Sequence, residues 1–522
     1  MPVSEVPLGT ASTPSPILQP PLTPSLLIDI VHLICSFLHN DLGTLYSLSL
    51  ACRLYSTIAL PALYTSLTTF PSNDDEDRLQ PESLQTSARL RKWSSLWRSL
   101  ALSALDPQRT FLPYARHLRV LDLRDLLSLM DELRPSRMAP WRKAFFADGL
   151  EECEKVRVFA SGTYFDFNLS TDFLADIITK GTRNAVALIR ETPERPTAEE
   201  QGEGHLARWL LNLPHLEFLQ VFSAEVFEDE RVRDALTQCP KLRSLTIYLW
   251  SQAAALGEAT AEDSALSQLL SSAGQGVGLE RFVMEHGTRT FGQLSISALS
   301  HFHGRTLVEL EILDISTSAL TQLSLASNVT QLRICTLSYD SHITPEIDNI
   351  ENYIKTLSSF LSSNASLQIL DIRVPNMEAV LKSSLQNLHL HTLRLTELIK
   401  PRVESLFGPD FWKAISTQSS SLQELYLPPP LVSENSLVEF SDLPGDMMTA
   451  VCSLPKLRTL EARGFTRYIT DEDVYNVVIN CRELRQLMLT SPLLTDAALM
   501  SLSGLPELRE FLAQYAAPYL HA

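Results

Sequence analysis

Residues 470–489 read TDEDVYNVVINCRELRQLML. The stretch divides in two. Leu484, Leu487 and Leu489 follow the phrase Leu, two residues, Leu, one residue, Leu, and the period of two at its end turns those side chains to one face of a short strand. Ahead of them, Val474, Val477, Val478 and Cys481 recur at helical spacing behind Thr470, a residue suited to capping a helix. One helix and one short strand cannot enclose their own apolar faces, so the stretch predicts a stack of similar units.

The phrase returns along the chain. Clear copies are Leu118-Leu121-Leu123, Leu216-Leu219-Val221, Leu242-Leu245-Ile247, Leu279-Phe282-Met284, Leu367-Leu370-Ile372, Leu390-Leu393-Leu395, Leu422-Leu425-Leu427 and Leu457-Leu460-Ala462; weaker ones begin at Leu307, Leu332 and Leu508. The starts Leu216 and Leu242 lie 26 residues apart, Leu457 and Leu484 lie 27 apart, and Leu242 and Leu279 stretch to 37. A second capped helix is read where Leu494-Thr495-Asp496 precedes Leu499, Leu502 and Leu505. With Cys239 and Cys481 three residues ahead of Leu242 and Leu484, the pattern resembles the cysteine-containing leucine-rich repeats. The resemblance is strong over 454–513, fair over 205–250 and 279–430, and poor over 125–204, where Val156-Val158-Phe159 and Val186-Leu188 are read as degenerate strands. It implies an α/β fold for 118–522: an irregular, curved solenoid with parallel strands on the concave face and helices or coil on the convex face. Cys239 and Cys481 read as small buried packing groups.

Residues between the phrase leucines face the concave side and are expected to bind a target protein. Aromatic and arginine side chains dominate interface energetics, which singles out Phe218, Phe222, Tyr248, Trp250, Arg373, Arg394, Tyr426 and Arg463. Gln220, Thr246, Asp371, Glu461 and Met488 share that face. Phe218, Phe222, Tyr248 and Trp250 fall on adjacent strands and suit one apolar patch, open to a partner or covered by another part of the chain.

The front of the chain has another character. Residues 1–22 hold six prolines among Ser and Thr and read as a disordered tail. Thr23-Pro24 then opens a helix whose Leu26, Ile30, Ile34 and Phe37 recur with Leu27, Val31 and Leu38 beside them, a stripe broader than one packing face requires. Asn40-Asp41 suits the cap of a second helix with Leu42, Leu45 and Leu48, and Leu50, Leu54 and Ile58 suggest a third that stops before Pro61. These residues, with Ala51-Cys52-Arg53 and Ala59-Leu60-Pro61-Ala62-Leu63-Tyr64, resemble the F-box over residues 23–64, behind which such repeats are often found. The resemblance implies that Pro24, Leu26, Leu27, Ile30, Phe37, Leu38, Asp41, Leu42, Leu45, Leu48 and Cys52 grip a Skp-type linker protein that tethers the chain to a cullin. Thr23 stands where the family usually has Leu, and Ser25 where it usually has Glu. The plainer alternative is a helical hairpin that packs only on its own chain.

Residues 65–117 read as an acidic loop, Asn73-Asp74-Asp75-Glu76-Asp77, and an amphipathic helix with Trp93 and Trp97 as core anchors. Across 522 residues, 61 acidic against 43 basic side chains give a formal charge of −18, a field that repels nucleic acid and anionic membranes. Seven cysteines, never closer than 17 residues, fit neither a disulfide framework nor a zinc knuckle, and a reducing cytoplasmic or nuclear setting is expected. No apolar run reaches the roughly 18 residues that span a bilayer. No Gly precedes Lys, no His precedes Glu, and no Gly-x-Ser-x-Gly occurs, so P-loop, zinc-protease and hydrolase-elbow chemistry find no motif. Gly274-Gln275-Gly276-Val277-Gly278 reads as a turn, and His301, His303, His389 and His391 as surface or strand-edge groups without a third metal ligand. The expectation is a non-catalytic adaptor without cofactor or metal, with a non-ligase interaction scaffold as the alternative, and an enzyme site within 125–204 as a third.

Overall fold

The computed structural model describes residues 25–38, 41–67, 82–159, 162–190, 205–227, 229–249, 259–286, 292–315, 322–323, 326, 328–339, 350–374, 377–395, 408–427, 443–462, 469–489 and 494–513. The proline-rich start, Pro24, the acidic run, Trp250 and Arg463 lie outside them, as do the side chains of Leu26, Leu27 and Leu42. Two compact units divide at Ser66 and Leu67, within the two-residue strand β1 (Ser66–Leu67).

The first unit holds α1 (Ser25–Phe37), α2 (Leu42–Ala51) and α3 (Arg53–Thr65). Asp41 caps α2 by accepting from the Thr44 amide at 2.9 Å. The core is Val31, Cys35, Leu45, Ile58, Ala59, Leu63 and Tyr64. Two expectations are corrected here. α3 runs through Pro61 to Thr65, because burial of Leu63 and Tyr64 beyond the proline offsets the lost backbone bond, and Thr57, whose carbonyl that bond would have served, is an exposed residue. Leu50 belongs to α2 rather than to the third helix, and it is exposed.

The second unit opens with α4 (Glu82–Leu105), which packs on α5 (Leu123–Glu132) and α7 (Phe167–Gly181); between those two lies α6 (Ala139–Phe145). The anchors are buried as expected, and each also donates its indole N–H to Asp125 Oδ2, at 2.8 Å from Trp93 and 2.5 Å from Trp97. Within the poorly matching stretch, β3 (Val156–Phe159) and β4 (Gly162–Phe165) pair antiparallel as a separate hairpin. Val156-Val158-Phe159 is thus a strand, but of this insertion and not of the array.

The array is a parallel sheet of β2 (Val120–Asp122), β5 (Ala187–Arg190), β6 (Phe218–Ser223), β7 (Ser244–Leu249), β8 (Arg281–His286), β9 (Glu309–Ile315), β10 (Ile334–Tyr339), β11 (Ile369–Arg373), β12 (Thr392–Leu395), β13 (Glu424–Tyr426), β14 (Thr459–Ala462), β15 (Gln486–Leu489) and β16 (Glu510–Ala513), in chain order. Every copy of the phrase overlaps one of these strands, and of Val186-Leu188 the second lies in β5 and the first just ahead of it. The middle position stays in register throughout: Leu121, Leu188, Leu219, Leu245, Phe282, Leu310, Cys335, Leu370, Leu393, Leu425, Leu460, Leu487 and Phe511 pair in succession. A one-residue slip would turn this ladder to solvent, so the apolar period itself fixes the register. The second unit is therefore an α/β solenoid of leucine-rich-repeat type, its helices on one face of the sheet.

At three places buried polar side chains tie one repeat to its neighbour. Asn364 accepts from the Leu332 amide at 3.2 Å, and Gln418 accepts from the Leu390 amide at 3.0 Å and donates to the Leu385 carbonyl. His303 does the same: Nδ1 accepts from the Leu279 amide at 3.1 Å and Nε2 donates to the Leu270 carbonyl at 2.7 Å. This corrects the expected surface placement of His303, which is 1% exposed; His301, His389 and His391 are exposed. Cys239 and Cys481 are buried and point their thiols at the Leu210 and Val451 carbonyls of the preceding repeats. Burial pushes their pKa values up to about 11 and about 12. Gly274 and Gly278 hold φ of +62° and +81° before β8, and a Cβ on Gly278 would collide with Thr306.

Candidate functional site

Two surfaces offer themselves for recognition. On the first unit, α1 carries apolar side chains on two faces. Val31 and Cys35 turn inward, while Ile30, Leu33, Ile34 and Phe37 line an outer stripe at helical spacing, with Phe37 77% exposed. Leu50 on α2 is 69% exposed. A soluble helix normally keeps one apolar stripe, so the second is surface without a covering element among the described residues of this unit. Of the residues expected to meet a linker, Ile30, Phe37, Asp41 and Cys52 are exposed, and Leu38 and Leu48 are half-buried. Leu45 is corrected: it is closed completely into the core, so it holds the unit together and offers no contact surface. Asp41 spends its carboxylate on the α2 cap, which also draws its pKa below the usual range. Leu33, Ile34 and Leu50 were not among the expected contacts. Ile34 and Leu50 were legible in the apolar pattern, and their outward placement follows from the way α1 and α2 dock on α3.

The second surface is the face of the sheet opposite the helices. Here the side chains on either side of the ladder form rows that cross the strands. Phe222 on β6 stacks on Tyr248 on β7 with ring centroids 6.2 Å apart, and both are half-buried, as is Phe218. On β8 and β9, Arg281 pairs with Glu309 at 2.7 Å and donates to Thr246 Oγ1 at 3.1 Å. Glu311 lies beyond it. Burial, followed by the charges of Glu285, Glu309 and Asp371, pushes the Glu311 carboxyl up, with Arg281 opposing. Further along, Arg394 sits 3.6 Å from Asp371 and places its guanidinium 4.4 Å from the Tyr426 ring centre, while the Tyr426 hydroxyl reaches Glu424 Oε2 at 3.4 Å. Arg394 and Tyr426 are thus engaged with each other and with flanking acids. Arg373 is half-buried on β11, beyond Asp371.

The structure brings Phe222 and Tyr248 together on adjacent strands, with Phe218 four residues back along β6, and places Arg373, Arg394 and Tyr426 on a second group of three strands. Arg281, Glu285, Glu309 and Glu311 also stand on this face and were not among the expected contacts. The phrase copies at Leu279 and Leu307 place all four on the same face, so the signal was present in the register. Among the described residues no helix is long and apolar enough to cross a membrane, and no group of His, Cys, Asp and Glu could hold a metal ion.

No protein-family model matches the chain, and no curated protein matches it. Among solved structures, a chain of the Rad7 and Elc1 complex from yeast is 13% identical, spans 85% of this chain and 98% of its own, and superposes at a TM-score of 0.37. A leucine-rich-repeat protein of Leptospira interrogans is 12% identical over 64% of this chain and 85% of its own, at a TM-score of 0.26. Likenesses this distant say nothing about function, and the repeat architecture rests on the ladder of this chain itself.

Proposed function

We propose that this chain is a substrate-recognition adaptor of a cullin-based ubiquitin ligase, working in the cytoplasm or nucleus. The first unit binds a Skp-type linker through the outer stripe of α1, and the sheet face of the array binds the target protein. The chain performs no covalent chemistry of its own. The observation that carries this reading is the double-sided α1: a small three-helix unit whose sequence resembles the F-box keeps Ile30, Leu33, Ile34 and Phe37 outside its own core. An apolar anchor at the centre of such an interface contributes about 2 kcal/mol, a factor of about 30 in affinity.

Co-purification tests it. The intact chain is expected to hold a Skp-type linker, and Phe37→Asp or the pair Pro24→Ala and Leu27→Ala to release it. Leu499→Asp, which charges an exposed apolar residue of the array, serves as the control and leaves the complex intact. Linker binding indifferent to the front substitutions would refute the assignment. Cullin in the same pull-down separates a ligase adaptor from a scaffold that uses the linker alone.

A further inference from the structure

On β6 to β9 the sheet face changes from aromatic to acidic within a few ångströms. The pairings of Ile247 with Met284 and Leu249 with His286 set Tyr248 beside Glu285 on the next strand, so an acidic residue follows the Phe222–Tyr248 stack across the sheet. The pairings of Val283 with Glu311 and Arg281 with Glu309 put two more carboxylates on the strand after that. Neighbouring strands lie about 4.8 Å apart, so the stack and these acids fall within the reach of one extended peptide. Three carboxylates share the patch with one guanidinium, and that guanidinium, Arg281, is held by Glu309 and Thr246. Glu285 and Glu311 have no hydrogen-bond or ion-pair partner among the described residues.

We infer that this patch is where the array takes its target, and that the target presents an extended basic segment whose arginine or lysine lies along the Phe222–Tyr248 stack with its charge against Glu285 and Glu311. The warrant is charge complementarity at a place where two different attractions converge. A cation over an aromatic face is attracted by the ring's negative face, more strongly when water is excluded. A half-buried carboxylate carries a desolvation cost that a further guanidinium or ammonium would offset. The net charge of −18 draws such a segment in from a distance and repels an acidic one. The inference rests on the reading of the array as a target-binding surface, but not on the linker.

Fluorescence anisotropy with the full chain, without linker, tests it. The probe is a fluorescein-labelled nonapeptide alternating arginine and serine, and the reference probe carries glutamate for arginine. The arginine probe is expected to bind and the glutamate probe not. Glu285→Gln with Glu311→Gln should weaken binding roughly tenfold or more. Phe222→Leu, which keeps apolar bulk and loses the ring face, should weaken it severalfold. Glu483→Gln and Glu507→Gln remove equal charge from exposed pairs with Arg458 and Arg485 and should change affinity less than about twofold. Equal losses across all carboxylate variants would reduce the effect to the general field and overturn the site, as would binding insensitive to Phe222→Leu. If the linker fails to co-purify while the arginine probe behaves as described, the ligase reading falls and this site stands. The converse result removes the site alone.

Discussion

A few side chains show how an irregular repeat series keeps its spacing. In the strand phrase the repeated pattern is apolar and visible, yet the amides of Leu279, Leu332 and Leu390, which open three of the phrases, also need an acceptor once water is excluded. Asn364, Gln418 and His303 each supply that acceptor to the preceding repeat. Their role was hidden in the sequence because three residue types serve it, three or four positions ahead of the phrase, whereas the apolar period repeats without such variation. Replacing Asn364 by Leu leaves the Leu332 amide unserved, and urea unfolding should show a loss of about 1–3 kcal/mol. His303 allows a sharper experiment. Burial holds its pKa below the ordinary value of 6.5, so the folded chain resists the proton that the unfolded chain accepts. Stability should therefore fall as pH drops below about 6.5. His303→Gln, which offers the same acceptor and donor as Gln418, should keep the stability at pH 7.5 and flatten that pH dependence; an unchanged slope would assign the pH effect to other groups. Glu311 carries the opposite sign. Its raised pKa makes its charge a cost above the folded pKa that vanishes below the unfolded one, so Glu311→Gln should raise the melting temperature at pH 7 and leave it unchanged near pH 4.

At the scale of elements, the positions of the array strands were legible in the phrase, and the difference lies in their ends and in what surrounds them. Leu, two residues, Leu, one residue, Leu identifies a strand because the same side chains must be buried in every repeat, a requirement local to the phrase. Helix ends are set by tertiary packing. α3 passes Pro61 because Leu63 and Tyr64 belong to the core, and no local rule gives that. The hairpin of β3 and β4 follows the period of a strand without joining the array, since a period of two specifies a pleated segment and not its partner. α4 was readable as amphipathic, but the target of its two tryptophans, Asp125, lies 32 and 28 residues away. That contact yields a direct test. Trp97→Ala removes a fully buried side chain and one of the two indole donors to Asp125, and is expected to cost about 3–5 kcal/mol by thermal or urea unfolding. Trp97→Phe retains most of the volume and should cost less; equal losses would place the effect in the hydrogen bond rather than the packing.

Across the whole array, each described strand pairs with the array strand before it and the one after it, the β3–β4 hairpin standing aside between β2 and β5. The stability of such a molecule is a sum over repeats and the interfaces between them, with no long-range pairing to spread a local fault. Past the middle of the ladder, Leu370, Leu393 and Leu425 are each fully buried and in direct register. A carboxylate placed there cannot be reached by water without opening the repeat that holds it. In Leu393→Asp, hydrogen exchange should therefore accelerate first in β11, β12 and β13, while β5 and β6, several interfaces away, keep the protection they have in the natural chain. Loss of protection at the same rate in all strands would mean that the array opens as one cooperative block. The two outcomes also bear on binding, because the patch on β6 to β9 lies outside the disturbed repeats in the first case and is lost with them in the second. Retention of the arginine probe by Leu393→Asp, measured beside its exchange profile, would locate the binding surface in the front half of the array independently of any substitution made within it.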